Sequence, residues 1–206
     1  MDENKLIEEA LNNREAAEKL IRLHYKEVYR YIYKRTFDKN LTEDLTQEVF
    51  LYALKHLLSF KRKSLFIMWI LRIATSFIAD YYRKENKYSE LTEEMEQSLS
   101  IYPLTDDPVE EPNAYRIIYK HLECLPFSYQ TIITLKFFEN RKTKEICEIM
   151  HKTPVGVRVT LYRALNALKK ELESDVTDLN ILRLYYGERK EWTAFTHQNK
   201  GEEELK

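Results

Sequence analysis

Cysteine and histidine are among the residue types whose side chains most often perform redox, nucleophilic or metal chemistry. The two cysteines, Cys124 and Cys147, lie in apolar surroundings and lack the close C-x-x-C spacing of redox and metal motifs. The five histidines are scattered, and no H-E-x-x-H motif, glycine-rich phosphate loop or G-x-S-x-G elbow occurs. We therefore expect both thiols to be buried as small hydrophobic groups, and we predict no metal, no cofactor and no enzymatic activity.

The charged residues form two basic blocks with an acidic stretch between them. The formal net charge is −1, but residues 1–88 carry +4, residues 114–172 carry +6 and residues 173–206 carry −3. Residues 89–113 contain eight Asp and Glu, no Lys or Arg, and three of the five prolines. Proline breaks helices and like charges extend a chain, so this stretch is predicted to be a linker. Two basic modules on a tether suit a partner with separated anionic sites, such as nucleic acid.

The composition predicts an all-α protein. Three glycines and five prolines are few for 206 residues, and Leu, Glu, Lys, Arg and Ala are plentiful. No run of about 18 apolar residues occurs, and the polar N-terminus is unlike a signal peptide, so a cytoplasmic protein is expected. We predict two small helical domains, 1–88 and 114–172, joined by the acidic linker 89–113 and followed by an extension, 173–206.

Three helices are predicted in the first basic block. The first spans 16–37, and the second begins after Thr42, whose hydroxyl is a suitable N-cap. The third begins near Leu65 and ends in a basic run at Arg83 and Lys84. Apolar residues at helical spacing predict the buried face of the second helix: Leu45, Val49, Tyr52, Ala53 and Leu57.

The second basic block contains the signals of a helix-turn-helix. A short helix over 143–150 is followed by Thr153 and Pro154, which are favoured at the N-cap and first position of a helix. The turn has His151 where glycine is usual. We expect the second helix, which runs to about Leu172, to enter the major groove of DNA with residues near its N-terminus.

Two segments of the first block carry a resemblance to a known family. Residues 43–50 read EDLTQEVF and residues 69–83 read WILRIATSFIADYYR. In order and separation they resemble the acidic-Asp-Leu-x-Gln-Glu-x-Phe and Trp-Leu-x-x-Ile-Ala-x-Asn-x-x-x-Asp-x-x-Arg patterns of extracytoplasmic-function (ECF) sigma factors of the sigma-70 family. The resemblance implies that Asp44, Gln47 and Glu48 bind a coiled-coil clamp helix of RNA polymerase.

The resemblance also implies that the loop and helix after this motif melt and read the −10 promoter element. Single-strand capture requires a basic groove and aromatic stacking surfaces. Phe60, Phe66 and Tyr82 are possible platforms, although core packing is the favoured role of each. Ser76, or Thr75 in the alternative register, replaces the usual Asn, so the −10 preference of the family does not carry over. The implied −10 residues are Lys61, Arg62, Lys63, Arg72, Ser76, Asp80 and Arg83.

The second block resembles the region of the same family that binds the −35 element. The matching segments are Leu-Pro at 125–126, Glu-Ile at 145–146 and the stretch 154–164, PVGVRVTLYRA. Cys147 replaces the usual Ala, and Gly156 replaces a Thr at a cost of about 1 kcal/mol in helix stability relative to Ala. The resemblance implies that the second helix of the motif binds DNA, and the predicted contacts are Arg158, Thr160, Tyr162 and Arg163.

Three functions remain open at this level. A sigma factor would bind core RNA polymerase and promoter DNA, and the family implies an anti-sigma factor as a further partner. A helix-turn-helix regulator independent of polymerase would leave the two motifs of the first block unexplained, and only the near-neutral net charge favours a helical enzyme or adaptor. The extension 173–206 lies outside the resemblance. It is predicted to contain one helix, which either regulates access to DNA from the second domain or is dispensable.

Overall fold

The computed structural model describes residues 3–61, 65–91 and 113–174, with side chains undescribed over 85–91 and 113–117. Every regular element in these ranges is helical. The chain divides into two compact units, one built from the N-terminal helices and one from the C-terminal helices. The predicted all-α fold with two helical domains is confirmed. No helix in the described ranges is both long enough and apolar enough to cross a membrane.

The N-terminal unit is a bundle in which the long helix α2 packs against three other helices. Its elements are α1 (Glu3–Ala10), α2 (Arg14–Thr36), α3 (Lys39–Lys55), a 3₁₀ turn (Leu57–Ser59) and α4 (Phe66–Leu91). Leu20, Val28, Ile32, Val49 and Ile70 are almost completely excluded from solvent. Burial of such side chains is the main stabilising contribution to a small bundle.

Helix α3 begins earlier in the sequence than predicted. Thr42 is not the N-cap: α3 begins at Lys39, and the Asp38 carboxylate accepts a hydrogen bond from the Leu41 N–H at 2.9 Å. Asp38 has the extended backbone that an N-cap requires. Thr42 is buried instead, and its hydroxyl oxygen lies 2.8 Å from that of Thr36 at the end of α2.

The predicted buried face of α3 is correct at four positions and wrong at Tyr52. Leu45, Val49, Ala53 and Leu57 are buried, whereas Tyr52 is 43% exposed. The Tyr52 ring packs against His56 and the edge of Phe77, which leaves its outer surface in solvent.

Two hydrogen bonds and a ring cluster fix α4 within the unit. The Tyr31 hydroxyl on α2 lies 2.8 Å from the Thr75 hydroxyl, and the Tyr82 hydroxyl donates to the Arg35 carbonyl at 2.7 Å. The rings of Phe60, Phe66 and Trp69 pack in mutual contact, with centroids 5.3–5.6 Å apart. Both phenylalanines are buried, which confirms their predicted role in the core.

The C-terminal unit packs its last helix against the two that precede the turn motif. Its elements are α5 (Asn113–Glu123), α6 (Phe127–Ile133), a π-helical segment (Thr134–Phe138), α7 (Thr143–Met150) and α8 (Pro154–Ser174). The predicted cap of α8 is confirmed, because the Thr153 hydroxyl accepts a hydrogen bond from the Gly156 N–H at 3.1 Å. His151 takes the left-handed conformation, φ 52°, that a glycine would adopt more easily.

The expected burial of the cysteines is wrong. Cys124 is exposed and Cys147 is half-buried, and both thiols are free. Cys124 lies at the end of α5, where its Sγ faces the Lys120 carbonyl at 3.7 Å and the core is already filled by Leu122 and Leu125. The apolar residues near Cys124 in the sequence therefore did not show whether its own side chain is buried or exposed.

The predicted linker and extension fall mostly outside the described residues. Helix α4 continues through Leu91, and α5 begins at Asn113, so the two ends of the range 89–113 are helical. Helix α8 likewise includes residues 173 and 174. Residues 92–112 and 175–206, with the helix predicted in the extension, lie outside the described part of the chain.

Candidate polymerase and nucleic-acid interfaces

The exposed face of α3 carries the predicted polymerase-binding residues. Asp44, Gln47 and Glu48 are three and four positions apart, so they share one side of the helix, and all three are exposed. In the described part of the chain they form no hydrogen bond or ion pair, so their polar groups are available to a partner. The structure adds Leu51, which is 62% exposed at the next turn of the same side. Leu51 falls outside the spacing of the buried residues of α3, and this was the signal in the sequence that could have identified it.

Four of the predicted −10 residues lie along one stripe of α4. Arg72, Ser76, Asp80 and Arg83 are separated by four, four and three positions, which places them on neighbouring turns of one face. Ser76 is exposed, whereas the neighbouring Thr75 is occupied by its hydrogen bonds to Leu71 and Tyr31. Of the two residues that could replace the family's Asn, Ser76 is therefore the one whose side chain is available to a ligand.

Asp80 and Arg83 form an ion pair on this stripe. The Arg83 Nη1 donates to the Asp80 Oδ1 at 2.7 Å, and both side chains are more than half exposed. A pair of this kind contributes little to stability because water screens it. It places the guanidinium beside the Asp80 carboxylate on the surface of α4.

The basic loop before α4 is described in part. Lys61 is exposed, whereas Arg62 and Lys63 lie outside the described residues. Since Phe60 and Phe66 are buried on either side of this loop, neither is available as a stacking platform. Tyr82 is half-buried and its hydroxyl is used by the Arg35 carbonyl. Tyr52 of α3, which sequence reasoning had assigned to the core, has an exposed ring that contacts α4 at Phe77.

Helix α8 presents three of the four predicted −35 residues on one exposed stripe. Arg158, Tyr162 and Arg163 are exposed, and neither guanidinium has a hydrogen-bond or ion-pair partner within the described ranges. Thr160 lies off this stripe and is half-buried. The opposite side of α8 is buried in the unit through Val157, Ala164, Leu165, Leu168 and Leu172.

The stripe on α8 is basic and partly apolar. Between Pro154 and Lys170 the helix has no Asp or Glu, and its exposed side includes Val155 and Val159, which are 60% and 43% exposed. Neither valine was predicted to belong to the site. A helix that follows a tight turn, is capped at its N-terminus and carries unpaired arginines is suited to the major groove of DNA.

Family models match both units. The sigma-70 region 2 model covers residues 20–88, and a sigma-70 region 4 model covers residues 115–168. The first match contains the stripes on α3 and α4, and the second contains the helix-turn-helix and the stripe on α8. The class is therefore that of helical proteins which combine these two regions.

Curated relatives agree with the family models. A probable RNA polymerase sigma factor of Haemophilus influenzae is 34% identical over 154 residues, which cover 65% of this chain and 79% of the relative. The RNA polymerase sigma factor YlaC of Bacillus subtilis is 27% identical over 164 residues, covering 79% of this chain and 95% of the relative. The chain belongs to the sigma-70 family of RNA polymerase sigma factors, in its ECF group.

Solved structures show the same fold. CnrH, in complex with the cytosolic domain of CnrY, superposes with a TM-score of 0.61 at 17% identity, covering 84% of this chain and 98% of that one. The sigma factor RpoE of Bartonella quintana, in complex with the anti-sigma factor NepR, superposes with a TM-score of 0.58 at 18% identity, covering 77% and 97%. Identities this low establish the architecture alone.

Proposed function

We propose that this protein is an ECF sigma factor that binds core RNA polymerase through the α3 face and directs it to promoters through the stripes on α4 and α8. The observation that carries this proposal is the presence, in one chain, of an exposed acidic face on α3 and of surface arginines on α4 and on α8. One partner must accept an acidic surface and another must be anionic. Core polymerase and promoter DNA together meet both requirements.

The chemistry of the α3 face favours a protein partner. Asp44 and Glu48 would repel phosphates, so this face is unsuited to DNA. The exposed Leu51 adds an apolar group that gains from being covered by another protein surface. Gln47 supplies both a donor and an acceptor between the two carboxylates. A basic helix with apolar side chains is the complement of this arrangement.

The α4 and α8 stripes favour two DNA contacts of different kinds. Arg72 and Ser76 share one face of α4, and the exposed ring of Tyr52 contacts the same helix at Phe77. A basic face with an aromatic ring on the same helix is suited to the single strand of a melted −10 element. On α8, the stripe at the start of the second helix of the turn motif is suited to the duplex of a −35 element. A regulator that never contacts polymerase would need only the second stripe, so the sigma-factor reading is preferred.

Further properties follow from the proposed function. As a sigma factor the protein would work in the cytoplasm, as an initiation subunit and not as an enzyme. Because the fold of this chain is shared with RpoE, which is held by the anti-sigma factor NepR in its complex, we propose an anti-sigma factor as a physiological partner. We propose residues 1–88 and 114–172 as the functional domains, with 89–113 as the linker and 173–206 as an extension of open role.

The decisive test of the proposal is binding of the full chain to bacterial core RNA polymerase. The double variant Gln47→Ala/Glu48→Ala is expected to weaken binding by tenfold or more, because truncation at the centre of an interface commonly costs more than about 1 kcal/mol per residue. Fluorescence anisotropy of the labelled chain, titrated with core enzyme, measures this dissociation constant.

A matched control is Glu18→Ala, since Glu18 is also exposed on a helix of the N-terminal unit but lies outside the α3 face. It is expected to bind core enzyme as the unmodified chain does. Absence of binding by the folded chain would contradict the proposal, provided that a chain lacking residues 175–206 also fails to bind. Equal weakening by both variants would show that the α3 face is not the specific contact.

A further inference from the structure

Two valines are exposed on the α8 stripe. Val155 and Val159 are the second and sixth residues of the helix, one turn apart on the same side, and they are 60% and 43% exposed. Tyr162 continues the stripe at the following turn, 45% exposed. Arg158 lies between the two valines in sequence, and its side chain is exposed as theirs are.

Valine is not the residue that best stabilises an exposed position of a helix. A β-branched side chain loses rotamer freedom in a helix, so Val is less favourable there than Ala, Lys or Glu. Because Val155 is 60% exposed and Val159 is 43% exposed, burial within the unit offsets that loss only in part. Two such residues one turn apart, in the first turns of a helix that is otherwise basic and polar on its outer side, are better explained by contact with a ligand.

The charge around the valines identifies the class of ligand. The first acidic residue of α8 is Glu171, about four turns after Val155. Arg158 and Arg163 flank the valines without partners in the described part of the chain. An apolar strip bordered by free guanidinium groups fits a surface with methyl groups between phosphates. The major groove provides these as the C5-methyl groups of thymine.

We propose that Val155 and Val159 read thymine methyl groups in the −35 element, and so determine part of its sequence. This inference rests on the proposed function, because it assumes that α8 enters the major groove. Residues four apart on a helix have side chains about 5–6 Å apart, and two base-pair steps span about 6.8 Å on one strand. The two valines therefore match methyl groups that are one or two base pairs apart.

The test compares thymine with deoxyuridine, which pairs identically and lacks only the methyl group. Holoenzyme, formed from the full chain and bacterial core polymerase, first selects its promoters from a randomised duplex pool. The enriched −35 element is then synthesised with each thymine replaced by deoxyuridine. Replacement at one or two neighbouring positions is expected to weaken binding about three- to fivefold per methyl group, the contribution of one buried CH₂-sized group.

The variant Val155→Ala/Val159→Ala tests whether the two valines are the groups that contact the thymine methyl groups. Alanine keeps α8 helical and removes the contacting methyl groups of the protein. The variant is expected to bind the thymine and deoxyuridine elements within about 1.5-fold of each other, since a double-mutant cycle reports the pairwise contact alone. Leu23→Ala, at an equally exposed aliphatic residue of α2, is expected to retain the full discrimination against deoxyuridine.

The outcomes separate this inference from the function on which it rests. If holoenzyme enriches a −35 element that tolerates deoxyuridine at every position, the inference is overturned and the sigma-factor function remains. The same conclusion follows if the double valine variant still discriminates, because other groups must then read the methyls. If no −35 element is enriched at all, the proposed role of α8 fails and the inference fails with it.

Discussion

His151 shows how a single residue can conflict with the backbone it occupies. The turn between α7 and α8 places His151 at φ 52°, a region that costs a residue with a Cβ atom about 1–2 kcal/mol. The His151 side chain is exposed, so it gains no burial that would offset this cost. The turn is therefore formed despite this residue, and the Thr153 cap and the packing of α8 must maintain it.

The first residue-scale prediction is that His151→Gly stabilises the C-terminal unit. Glycine adopts φ above zero without strain, so the free energy of opening should rise by about 0.5–1 kcal/mol after the entropy of the unfolded chain is included. Hydrogen exchange of the α8 amides measures this quantity for the C-terminal unit alone.

The matched control for that prediction is Lys169→Gly. Lys169 is exposed within α8, where glycine should instead lower the opening free energy by about 0.5–1 kcal/mol. Phe37 offers a second comparison, since it also has positive φ but its ring packs against Tyr33. A destabilised His151→Gly variant would show that the imidazole makes a contribution greater than the backbone strain.

At the scale of elements, the position of α4 depends on its hydrogen bonds to α2. The Thr75 hydroxyl donates to the Leu71 carbonyl at 2.7 Å, so it accepts the proton of Tyr31. This bond holds the turn that carries Ser76, and the bond from Tyr82 to the Arg35 carbonyl holds the turn that carries Arg83. The candidate −10 stripe thus inherits its geometry from the α2–α4 contact.

Tyr31→Phe tests this contact. The substitution removes one buried hydrogen bond and leaves the Thr75 proton satisfied by Leu71, so the free energy of unfolding should fall by about 1 kcal/mol. Urea unfolding followed by Trp69 fluorescence, in a Trp192→Phe background, reports on the N-terminal unit. Tyr25→Phe, on the exposed side of α2, is expected to change stability by less than about 0.5 kcal/mol. Equal stability of all three proteins would contradict the assignment.

The spacing of apolar residues predicted the helices, because burial repeats every three to four residues along a helix. It did not predict features that depend on local backbone geometry, such as caps and the π-helical segment. The buried face of α3 followed from apolar spacing, apart from Tyr52, whose amphipathic ring can be packed and exposed together. The earlier start of α3 depends on the carboxylate of Asp38, which competed with Thr42 as a cap. The π-helical geometry of Thr134–Phe138 has no signal in the sequence pattern.

The candidate site was predictable to the extent that its residues formed motifs. Asp44, Gln47 and Glu48 were found from a motif, and their shared exposed face follows from helix geometry. Leu51 and the two valines of α8 were missed, because the predicted site was drawn from polar and charged positions and from motif matches. Their positions outside the spacing of the buried residues indicated exposure, but how much of each side chain stays exposed depends on packing between helices.

At the scale of the whole molecule, the distribution of charge determines how binding depends on salt. The chain has a net charge of −1, yet its α4 and α8 stripes are basic. Each phosphate that these stripes neutralise should release counterions and contribute about −0.9 to the slope of log affinity against log salt concentration. Promoter binding should therefore be strongly salt-dependent although the protein is nearly neutral.

The corresponding prediction concerns Arg163→Ala. If Arg163 contacts a phosphate, the variant should reduce the magnitude of the salt slope by about one and weaken binding to all selected promoters equally. Holoenzyme binding to the selected duplexes at several salt concentrations measures the slope. Lys19→Gln, on the exposed side of α2, should leave it unchanged. Loss of base preference at one position, without a change in slope, would instead show that Arg163 reads a base.

The ion pair between Arg83 and Asp80 has a consequence for how promoters are found among many competing sites. When the Arg83 guanidinium docks on a phosphate, the neighbouring Asp80 carboxylate comes close to that phosphate as well, so the pair presents almost no net charge to DNA. Non-specific adhesion to the chromosome is then weaker than the number of basic residues suggests. Only a strand that also engages the rest of the α4 stripe offsets the repulsion by Asp80, which would shorten unproductive encounters during the search for a promoter.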